Sequence, residues 1–430
     1  MSDLPQGWEW ATLEDVAIWG SGGTPKAGRK EFYGGEIPWA VIGDLTDSIV
    51  PVTRGSLTTA GLEQSSAKLV PAGSVLIAMY GSIGKLGLNS IELATNQAIA
   101  FAQPLLVDTK YLFWYLMATR AQLTQAGKGA TQQNISQTIL RSWPIPVAPA
   151  GEQRRIVAAL EDHLSRLIAG SEYVNQSSSR LASLHTSALT QYYENSKRGG
   201  APLIAVGELA ETQLGKMIDA KKVKGEPTRY LRNINVRWHS FDLADLAHVA
   251  LTDAERTKFD LRNGDVLVCE GGEPGRSAVW HGQMAGIAFQ KALHRVRVRD
   301  GIRPEWLCMM LEAEVRSGRV APLLTGSTIK HLPQEKLRAI EIPVPQVDLQ
   351  TSSIREFSSL LTGVARMKDQ SSVLVRSAET LRRSLLAEAF AGRLVPQDPD
   401  DEPASVLLDR IRTERAAQPK PRRTRKAAAQ

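Results

Sequence analysis

Two stretches of this chain, about 152–195 and 349–391, contain no proline and repeat apolar residues at a seven-residue spacing. A heptad spacing sustained over several repeats predicts long helices with a coiled-coil seam. Small and polar members of the seam, such as Gly170 and Ser177, disfavour a homodimeric zipper, so we predict that the two helices pair with each other. At a rise of ~1.5 Å per residue, each would form a rigid spacer of roughly 65 Å. The residues predicted to form the seam are Leu160, Leu167, Leu181, Val364, Leu374 and Leu381.

Each long stretch follows a segment of a different kind, in which short apolar runs alternate with glycine and proline. Examples of these runs are "SVLIAMY" in the first half and "DVLVCE" in the second, and each segment ends with "IPV". This pattern predicts strands and turns with a few helices. We therefore predict an α+β fold with two similar mixed domains joined by long helices.

The two halves are related by an internal repeat. "GATQQNIS" (129–136) aligns with "GSTIKHLP" (326–333), and "LRSWPIPV" (140–147) aligns with "LRAIEIPV" (337–344), both at an offset of 197 residues. Upstream the offset is 191, where "PAGSVLIAMYGSIGK" matches "LRNGDVLVCEGGEPGR". One offset maintained over some sixty residues indicates a duplication, with insertions between the matched blocks.

The second long stretch ends in "AFAGRLVPQDPDDEPASVLLDRI" (389–411). Gly392 is suited to the position just after a helix, and Pro396 prevents immediate resumption of that helix. The acidic residues that follow, with Pro403, favour a new helix from about Ala404. This end of the chain is either a frayed tail or a helix that folds back.

Composition limits the class of protein. With 430 residues there is room for two or three domains, and the two cysteines have no spacing typical of disulfides or zinc sites. A net charge of +7 suits a polyanionic partner, although the basic end "PKPRRTRKAAAQ" (419–430) contributes part of it. No signal-like N-terminus or run long enough to cross a bilayer is evident, which predicts a cytoplasmic protein without a membrane partner.

Signatures of catalysis are scarce. The sequence contains no G-x-x-x-x-G-K-[ST] loop, no G-x-G-x-x-G after a strand and no Asp/Asn-Pro-Pro-aromatic tetrapeptide. The seven histidines are scattered, and the triplets "DTK" and "DAK" lack the context of a nuclease site. We predict no catalytic residues, no cofactor and no metal ion.

The polar loops carry more information, and each has two interpretations. Glycines in "YGSIGK" and "GGEPGR" let a backbone approach a ligand closely, beside Lys85 and Arg276, but they also suit an ordinary turn. Gln and Asn in "GATQQNIS" can read adenine edges, and the same segment can start a helix. "TPKAGRK" (24–30) and "GKMIDAKKVKG" (215–225) are either phosphate contacts or solvated basic loops.

With these features on one chain, the sequence resembles the specificity subunits of type I restriction–modification enzymes. The resemblance lies in "LPQGWEWATLEDVA", the "GS-GK" and "TNQA" loops, "IPVAPAGEQRRIVAAL" and, above all, "LLAEAFAGRLVPQDPDDEPASVLLDRI". It implies two target recognition domains that each bind one half of a bipartite, asymmetric double-stranded DNA sequence. It also implies antiparallel spacer helices and partnership with two methyltransferase subunits and, in the full complex, restriction/translocase subunits. The second half lacks "TNQA" and has "GIAFQKA", so the two half-sites are expected to differ.

The resemblance and the repeat divide the chain into a first recognition domain (1–150), a central spacer helix (151–198), a second recognition domain (199–345), a distal spacer helix with a short C-terminal helix (346–415) and a basic disordered tail (416–430). The candidate DNA-binding residues are Lys26, Arg29, Lys30, Tyr80, Ser82, Lys85, Asn96, Gln97, Thr131, Gln132, Gln133, Asn134, Lys216, Lys221, Lys222, Lys224, Arg276, Gln290, Lys291, Thr328, Lys330 and His331. The alternatives are a stand-alone regulator that dimerises through a coiled coil, and the specificity subunit of a methylation-only defence system. An enzyme would show DNA cleavage or methyl transfer by the chain alone.

Overall fold

A computed structural model describes residues 3–127, 134–218 and 225–417 of the chain. The first half contains β1 (Glu9–Thr12), α1 (Leu13–Val16), β2 (Ala17–Ser21), β3 (Tyr33–Ala40), β4 (Ser48–Val50), β5 (Gly55–Leu57), α2 (Thr59–Glu63), β6 (Leu69–Val70), β7 (Val75–Ala78), β8 (Leu86–Asn89), β9 (Leu93–Thr95), β10 (Ile99–Pro104), α3 (Thr109–Ala118), α4 (Arg120–Ala126), α5 (Gln137–Arg141), β11 (Pro144–Val147) and the long helix α6 (Ala150–Arg198).

The second half contains β12 (Leu203–Ala205), α7 (Val206–Leu209), β13 (Ala210–Leu214), β14 (Glu226–Leu231), β15 (Val236–Arg237), β16 (Ser240–Phe241), β17 (Ala247–Leu251), α8 (Asp253–Phe259), β18 (Val266–Cys269), β19 (Ser277–Val279), β20 (Ala288–Phe289), β21 (Leu293–Val298), α9 (Pro304–Arg316), α10 (Gln334–Arg338), β22 (Glu341–Pro343), the long helix α11 (Val347–Phe390) and α12 (Ala404–Ala417). The predicted α+β fold class with two long helices is confirmed. Within the described ranges, no helix has the length and apolar character needed to cross a membrane.

The chain divides into two compact units. Unit 1 comprises Met1–Glu172 and Leu374–Gln430, and unit 2 comprises Tyr173–Val373. These limits fall inside α6 and α11, so each unit contains a sheet region and one segment of each long helix. The domain limits predicted from the sequence fall instead at the helix ends, and they stay predictions.

Unit 1 contains a five-stranded sheet of order β2-β10-β7-β8-β4, a four-stranded sheet of order β5-β3-β9-β6, and a β1–β11 pair. Strand β7 is buried on both faces, because Val75 and Ile77 pack into one hydrophobic core and Leu76 and Ala78 into another. A strand covered on both faces reads as a continuous apolar run, which is the pattern of "SVLIAMY".

Unit 2 repeats this arrangement. Its sheet of order β13-β21-β18-β19 corresponds to β2-β10-β7-β8, and its β12–β22 pair corresponds to β1–β11. In β18, Val266 and Val268 pack into one core, whereas Leu267 and Cys269 pack into the other. A parallel pairing of β14 with β20 matches that of β3 with β9. The duplication seen in the sequence is therefore a duplication of strand order.

In each unit the two long helices contribute antiparallel segments to one core. Within unit 1, Leu160 and Leu164 of α6 share a core with Leu386 and Ala389, which lie at the end of α11. Within unit 2, the pattern is reversed along the chain, because Leu189 near the end of α6 shares a core with Phe357 near the start of α11.

The predicted seam is only partly buried. Leu160 and Val364 are buried, and Leu167 packs at the edge of the unit 1 core. Leu374 and Leu381, by contrast, are 57% and 48% exposed, which corrects the prediction that these two lie in a buried seam. A straight helix drifts by about 20° per heptad, so a strict seven-residue pattern leaves the buried face after a few repeats. Leu181 is half-buried.

The C-terminal segment folds back within unit 1. Gly392 ends α11 with φ +67°, as predicted, and the amide of Arg393 donates to the carbonyl of Glu388 at 2.9 Å. The amide of Ala404, the first residue of α12, donates to the carbonyl of Gly7 at 2.8 Å. Leu407, Leu408 and Ile411 of α12 are buried in the same core as the start of the chain. The interpretation as a frayed tail is therefore wrong for this segment.

Candidate nucleic-acid interface

Backbone hydrogen bonds bring four predicted loops of unit 1 together. The amide of Met79 donates to the carbonyl of Ala98 at 2.8 Å, and the amide of Ile135 donates to the carbonyl of Met79 at 3.0 Å. The amide of Gly23 donates to the carbonyl of Thr95 at 2.9 Å. Candidate residues that are far apart in sequence therefore share one surface. We call residues 22–30, 79–85, 95–98 and 134–135 loop cluster 1.

The basic loop of this cluster is held from its inner side. The Tyr33 hydroxyl donates to the carbonyl of Pro25 at 2.8 Å, and the Trp39 indole donates to the carbonyl of Gly23 at 3.2 Å. These aromatic side chains position the backbone and leave the basic side chains outside. The exposed basic residues are Lys26, Arg29 and Lys30.

Side-chain pairing distinguishes the three cations. Arg29 forms an ion pair with Glu31. Within the described part of the chain, Lys26 and Lys30 have no carboxylate within ion-pair distance. These two lysines are therefore the better candidates for phosphate contacts.

The glycine loop between β7 and β8 needs its glycines for its shape. Gly81 and Gly84 have φ +66° and +75°, a region that side chains with a Cβ rarely adopt. A Cβ on Gly84 would also lie 2.8 Å from Cγ of Arg120. The turn interpretation is therefore sufficient for the glycines. Tyr80 and Ser82 are exposed on this turn and remain accessible to a ligand.

In the polar loop between β9 and β10, two amide side chains have different surroundings. Asn96 shapes the loop, since its backbone N–H donates to the carbonyl of Ala40 at 3.0 Å and its side-chain Oδ1 accepts from the backbone N–H of Ala98 at 3.2 Å. Gln97 is exposed and accepts a hydrogen bond from the Thr24 hydroxyl. Gln97 is therefore better placed than Asn96 to contact a ligand.

Unit 2 repeats these hydrogen bonds at corresponding positions. The amide of Glu270 donates to the carbonyl of Ala292 at 2.9 Å, and the amide of Leu332 donates to the carbonyl of Glu270 at 2.7 Å. The amide of Lys216 donates to the carbonyl of Phe289 at 2.9 Å. The same backbone framework thus recurs with other side chains on it. We call residues 215–218, 270–276, 289–292 and 331–332 loop cluster 2.

The two cations that the repeat aligns are held differently. Arg276 is only 14% exposed at its side chain, pairs with Glu273 at 2.9 Å, and donates to the carbonyl of Asn233 at 2.9 Å. Lys85 is half-buried and has no carboxylate within ion-pair distance among the described residues. Lys85 therefore remains available for a phosphate, whereas Arg276 already serves the structure of its own loop.

Other candidates of loop cluster 2 also divide in this way. Lys216 forms an ion pair with Glu255, and its hydrogen bond lowers the pKa of that carboxyl. Gln290 is half-buried, and its backbone N–H donates to the carbonyl of Leu231 at 3.0 Å. The backbone N–H of Asn96 makes the matching bond to Ala40 in unit 1. Lys291 is exposed.

A short hairpin extends from loop cluster 2. The amides of Thr325 and His331 each donate to the other residue's carbonyl at 2.9 Å, and Gly326 turns the chain with φ +93°. The tip of the hairpin, which includes Thr328 and Lys330, is exposed. The loop that this single bridge closes therefore presents polar and cationic side chains.

Several candidates lie outside the described residues. They are Thr131, Gln132, Gln133, Lys221, Lys222, Lys224 and the basic tail. Of "GATQQNIS", Asn134 is exposed, and Ser136 caps α5 by accepting from the amide of Ile139 at 3.2 Å. The helix-start interpretation is thereby confirmed for Ser136, and base reading by the two glutamines stays a prediction.

The arrangement suits a polyanion. Exposed lysines, amide side chains and turn backbones are the groups that proteins use for phosphates and base edges. Among the described residues, no group of three or more His, Cys, Asp or Glu side chains is placed to hold a metal ion.

Comparison with known proteins agrees with the resemblance. The family model described as "Type I restriction modification DNA specificity domain" matches residues 5–174. The EcoR124I/EcoR124II specificity subunit of Escherichia coli is 32% identical over 163 residues, which are 36% of this chain and 40% of that protein. The EcoKI specificity subunit of Escherichia coli K12 is 22% identical over 96% of this chain and 97% of its own length. These similarities confirm the resemblance to type I restriction–modification specificity subunits, and the family-model match covers residues 5–174.

Solved structures agree with the family fold. A chain from a study of complex assembly and conformational transition of the type I R-M system has a TM-score of 0.75 at 17% identity, and the match covers 92% of this chain and all of that one. The HsdS subunit of Thermoanaerobacter tengcongensis has a TM-score of 0.55 at 17% identity, and the match covers 91% of this chain and 99% of that one.

A further sequence relative, the MjaIX specificity subunit of Methanocaldococcus jannaschii, is 26% identical over 42% of this chain. The matches span 40% and 43% of the EcoR124I/EcoR124II and MjaIX subunits, respectively.

Sequence reasoning missed two buried glutamines, one near the start of each long helix. Gln153 is 1% exposed and its Oε1 accepts from the amide of Asp108 at 2.9 Å. Gln350 is fully buried and accepts from the amide of Arg303 at 2.8 Å. The two glutamines are 197 residues apart, which is the offset of the repeat. A buried polar residue retained at the repeat offset was the available signal.

Proposed function

We propose that this chain is the sequence-specific DNA-binding subunit of a type I restriction–modification complex. One observation carries the proposal: the chain builds the same loop framework twice and places different polar side chains on it. Two similar binding surfaces with different side chains suit a bipartite, asymmetric target, in which each unit reads one half-site.

Double-stranded DNA is the proposed partner because the exposed groups match its chemistry. Lys26, Lys30, Lys291 and Lys330 are exposed cations, and phosphates attract such groups irrespective of sequence. Amide side chains such as Gln97 are able to read base edges through paired donor and acceptor atoms. Phosphate contacts would fix the register, and base contacts would provide the specificity.

Asymmetry is proposed from the corresponding positions. Tyr80 of unit 1 bridges Asn134 through the backbone, and the matching bridge in unit 2 joins Gly271 to His331. An aromatic ring and an amide in one unit therefore correspond to a bare backbone and an imidazole in the other. Side chains that differ this much would favour different bases.

We further propose that the chain has no catalysis of its own, acts in the cytoplasm, and recruits two methyltransferase subunits and, in a full complex, restriction/translocase subunits. Apolar side chains that remain exposed on the long helices support recruitment. Examples are Ile168 at 57% and Tyr173 at 68% exposed on α6, and Val373 at 52% on α11.

Mapping methylated bases in a host that expresses the chain with its methyltransferase tests the proposal. Replacing residues 1–150 with the equivalent of another family member should change one half-site and leave the other intact. Inserting one heptad into a long helix should change the spacing between half-sites. Methylation of DNA by the isolated chain, or loss of both half-sites after the replacement, would contradict the proposal.

A further inference from the structure

A buried charged cluster in unit 2 contains none of the candidate DNA-binding residues. Glu312 of α9 is fully buried, and Nε2 of His239 lies 2.7 Å from its Oε2. Nε2 of His185, on α6, lies 3.3 Å from the same oxygen. Arg316 Nη2 lies 2.6 Å from the other oxygen, Oε1. We call these four residues the Glu312 cluster.

The carboxylate is the centre of this cluster. Burial by itself raises the pKa of the Glu312 carboxyl, but its interactions with the His185 and His239 side chains outweigh this effect and hold that pKa well below its usual range. Both oxygens have cationic or imidazole partners, so the carboxylate is buried in its charged form. A buried charge of this kind is stable only while its partners remain in place.

Contacts lead from the cluster to the glycine loop of loop cluster 2. His239 is adjacent in sequence to Trp238, whose indole donates to Glu273 at 2.8 Å. Glu273 pairs with Arg276 at 2.9 Å, and Arg276 donates to the carbonyl of Asn233 at 2.9 Å. The segment 232–245 and the glycine loop are therefore tied to each other and, through Glu312, to α6.

Unit 1 has a counterpart built from other residues. Asp47 has φ +60°, and His239 has φ +59°, a left-handed conformation that few non-glycine residues adopt. The amide of Asp47 donates to Leu86 at 2.9 Å, and that of His239 donates to Ser277 at 3.0 Å, at the start of matching strands β8 and β19. Asp47 pairs with Arg120 at 2.9 Å.

The remaining members also correspond. Tyr111 and Trp306 donate to the carbonyls of Pro146 and Pro343 at 2.8 and 2.9 Å, which aligns α3 with α9. Met117 and Glu312 each lie six residues further along these helices. The corresponding pairs are Asp47 with His239, Met117 with Glu312, and Arg382 with His185. Arg120, the first residue of α4, lies one residue off this alignment from Arg316 of α9, and each of the two arginines pairs with the acid of its unit.

The positions of the acid and of its loop partner are inverted between the two units, whereas an arginine pairs with the acid in both. In unit 1 the acid is on the loop and the helices carry two arginines, with Arg382 contacting Met117. In unit 2 the acid is on helix α9, and the loop carries a histidine. In unit 1, Arg120 at the start of α4 pairs with the left-handed loop residue, and the long helix α11 contacts the end of α3. In unit 2, Glu312 of α9 contacts both the left-handed loop residue and the long helix α6. The recurrence of the junction with inverted positions indicates that the junction matters more than the particular residues.

We propose that His185, His239 and Glu312 are positioning residues, which hold segment 232–245 against α6. They thereby fix the conformation of the glycine loop (270–276) with which unit 2 reads the second half-site. This inference rests on the proposed function. Its structural part, the retention of segment 232–245, concerns the free chain and is measurable without DNA.

The inverted positions supply a rescue experiment on the full chain. Glu312→Met alone leaves two imidazoles and Arg316 without their carboxylate. The triple variant His185→Arg, His239→Asp, Glu312→Met transfers the unit 1 residues onto unit 2, where Arg316 already provides the arginine that Arg120 provides in unit 1. Glu335→Met, at an exposed glutamate of α10, is the matched control. Glu312→Gln preserves the shape of the side chain, in case the Met variant does not fold.

Two quantities are measured. Hydrogen exchange of segment 232–245 in the free chain should accelerate by about tenfold or more in Glu312→Met and Glu312→Gln, because the buried partners of the carboxylate are left unpaired. The second quantity is DNA preference, measured on the chain co-purified with its methyltransferase. The ratio of affinities for a duplex with an intact second half-site and for one with that half-site scrambled should fall by about tenfold or more. Preference for the first half-site should not change. The triple variant should recover both quantities, and Glu335→Met should alter neither.

Unchanged exchange in Glu312→Met and Glu312→Gln would overturn the proposal. Faster exchange with both half-site preferences intact would also overturn it, since the cluster would then be structural only. A triple variant no better than Glu312→Met would show that the two junctions are not equivalent, which overturns the inference from the inverted positions. If the wild-type complex shows no half-site preference at all, the proposed function fails, and the exchange result still decides whether the cluster holds the segment.

Discussion

Leu160 and Leu381 provide a direct test of how the long helices pack. The heptad pattern assigns both to the same seam, whereas in the structure Leu160 is fully buried and Leu381 is 48% exposed. The same substitution, leucine to alanine, should therefore have unequal effects on unit 1. The comparison keeps the chemical change and the secondary structure constant.

The magnitude follows from burial. Truncation of a buried leucine to alanine removes three carbons, which costs about 2.4 kcal/mol at about 0.8 kcal/mol per buried methylene. The cavity that remains raises the total to about 2.7–5 kcal/mol. For Leu381, half of the side chain is already in water, so the expected cost is about 1 kcal/mol or less.

Native-state hydrogen exchange, read by mass spectrometry, resolves this difference within unit 1. Peptides that cover 156–164 should lose protection by the full amount in Leu160→Ala and by little in Leu381→Ala. Equal losses in the two variants would refute the packing described above. They would mean that the seam continues along α11 as the heptad pattern predicts.

Three further predictions address individual side chains. Lys85→Ala should weaken binding to all DNA sequences and reduce the slope of log affinity against log salt concentration by about one unit. Arg276→Ala should leave this slope unchanged and lower thermal stability instead, because Arg276 is already paired with Glu273. Gln350→Ala should destabilise unit 2 by about 1–3 kcal/mol in denaturant titrations, since the amide of Arg303 loses its acceptor; no loss would contradict this role. The pKa of the Glu312 carboxyl is held below its ordinary 4.5, so the carboxylate should stabilise unit 2 above pH 4.5 and lose this contribution as the pH falls further. The stability of Glu312→Gln should therefore differ from that of wild type most near neutral pH. An equal difference in stability at pH 3 would contradict the ionised state.

Much of the fold was predictable because its signals are local or repeated. The proline-free heptad stretches correspond to α6 and α11, and the glycine at 392 ends α11. The constant offset of the repeat also anticipates the matching hydrogen bonds of Ile135 and Leu332, which lie 197 residues apart. In each case a short window, or one number, contains the information.

The candidate site was less predictable because ion pairing depends on three-dimensional neighbours. Lys85 and Arg276 align in the repeat, yet only Arg276 has an acid three residues upstream with which it pairs. Glu273 was visible in "GGEPGR", but its effect depends on the turn that brings it back towards Arg276. The seam failed for a related reason, since burial along α11 depends on the helix's rotation relative to its neighbours.

The Glu312 cluster had no sequence signal because its members are drawn from α6, a loop and α9. His185, His239 and Glu312 are separated by more than fifty residues at each step. Its counterpart shares only an arginine, which is Arg120 at the start of α4 and Arg316 at the end of α9, so comparison of the two halves finds no other match in residue type there. What the halves share is the left-handed backbone at Asp47 and His239, which side chains do not report.

The two units suggest how a duplicated binding protein changes its target without losing its fold. The hydrogen bonds that assemble the loop clusters run from backbone amides to backbone carbonyls, so side chains on those loops are free to change without removing them. Tyr80 and Gly271 occupy the same bridge in the two clusters for this reason. Junctions made by side chains, as at Asp47 and Glu312, have to change as sets, because a single change leaves a buried charge without a partner. Recognition loops built on backbone contacts should therefore diverge residue by residue, whereas the junctions behind them should diverge only through coordinated substitutions.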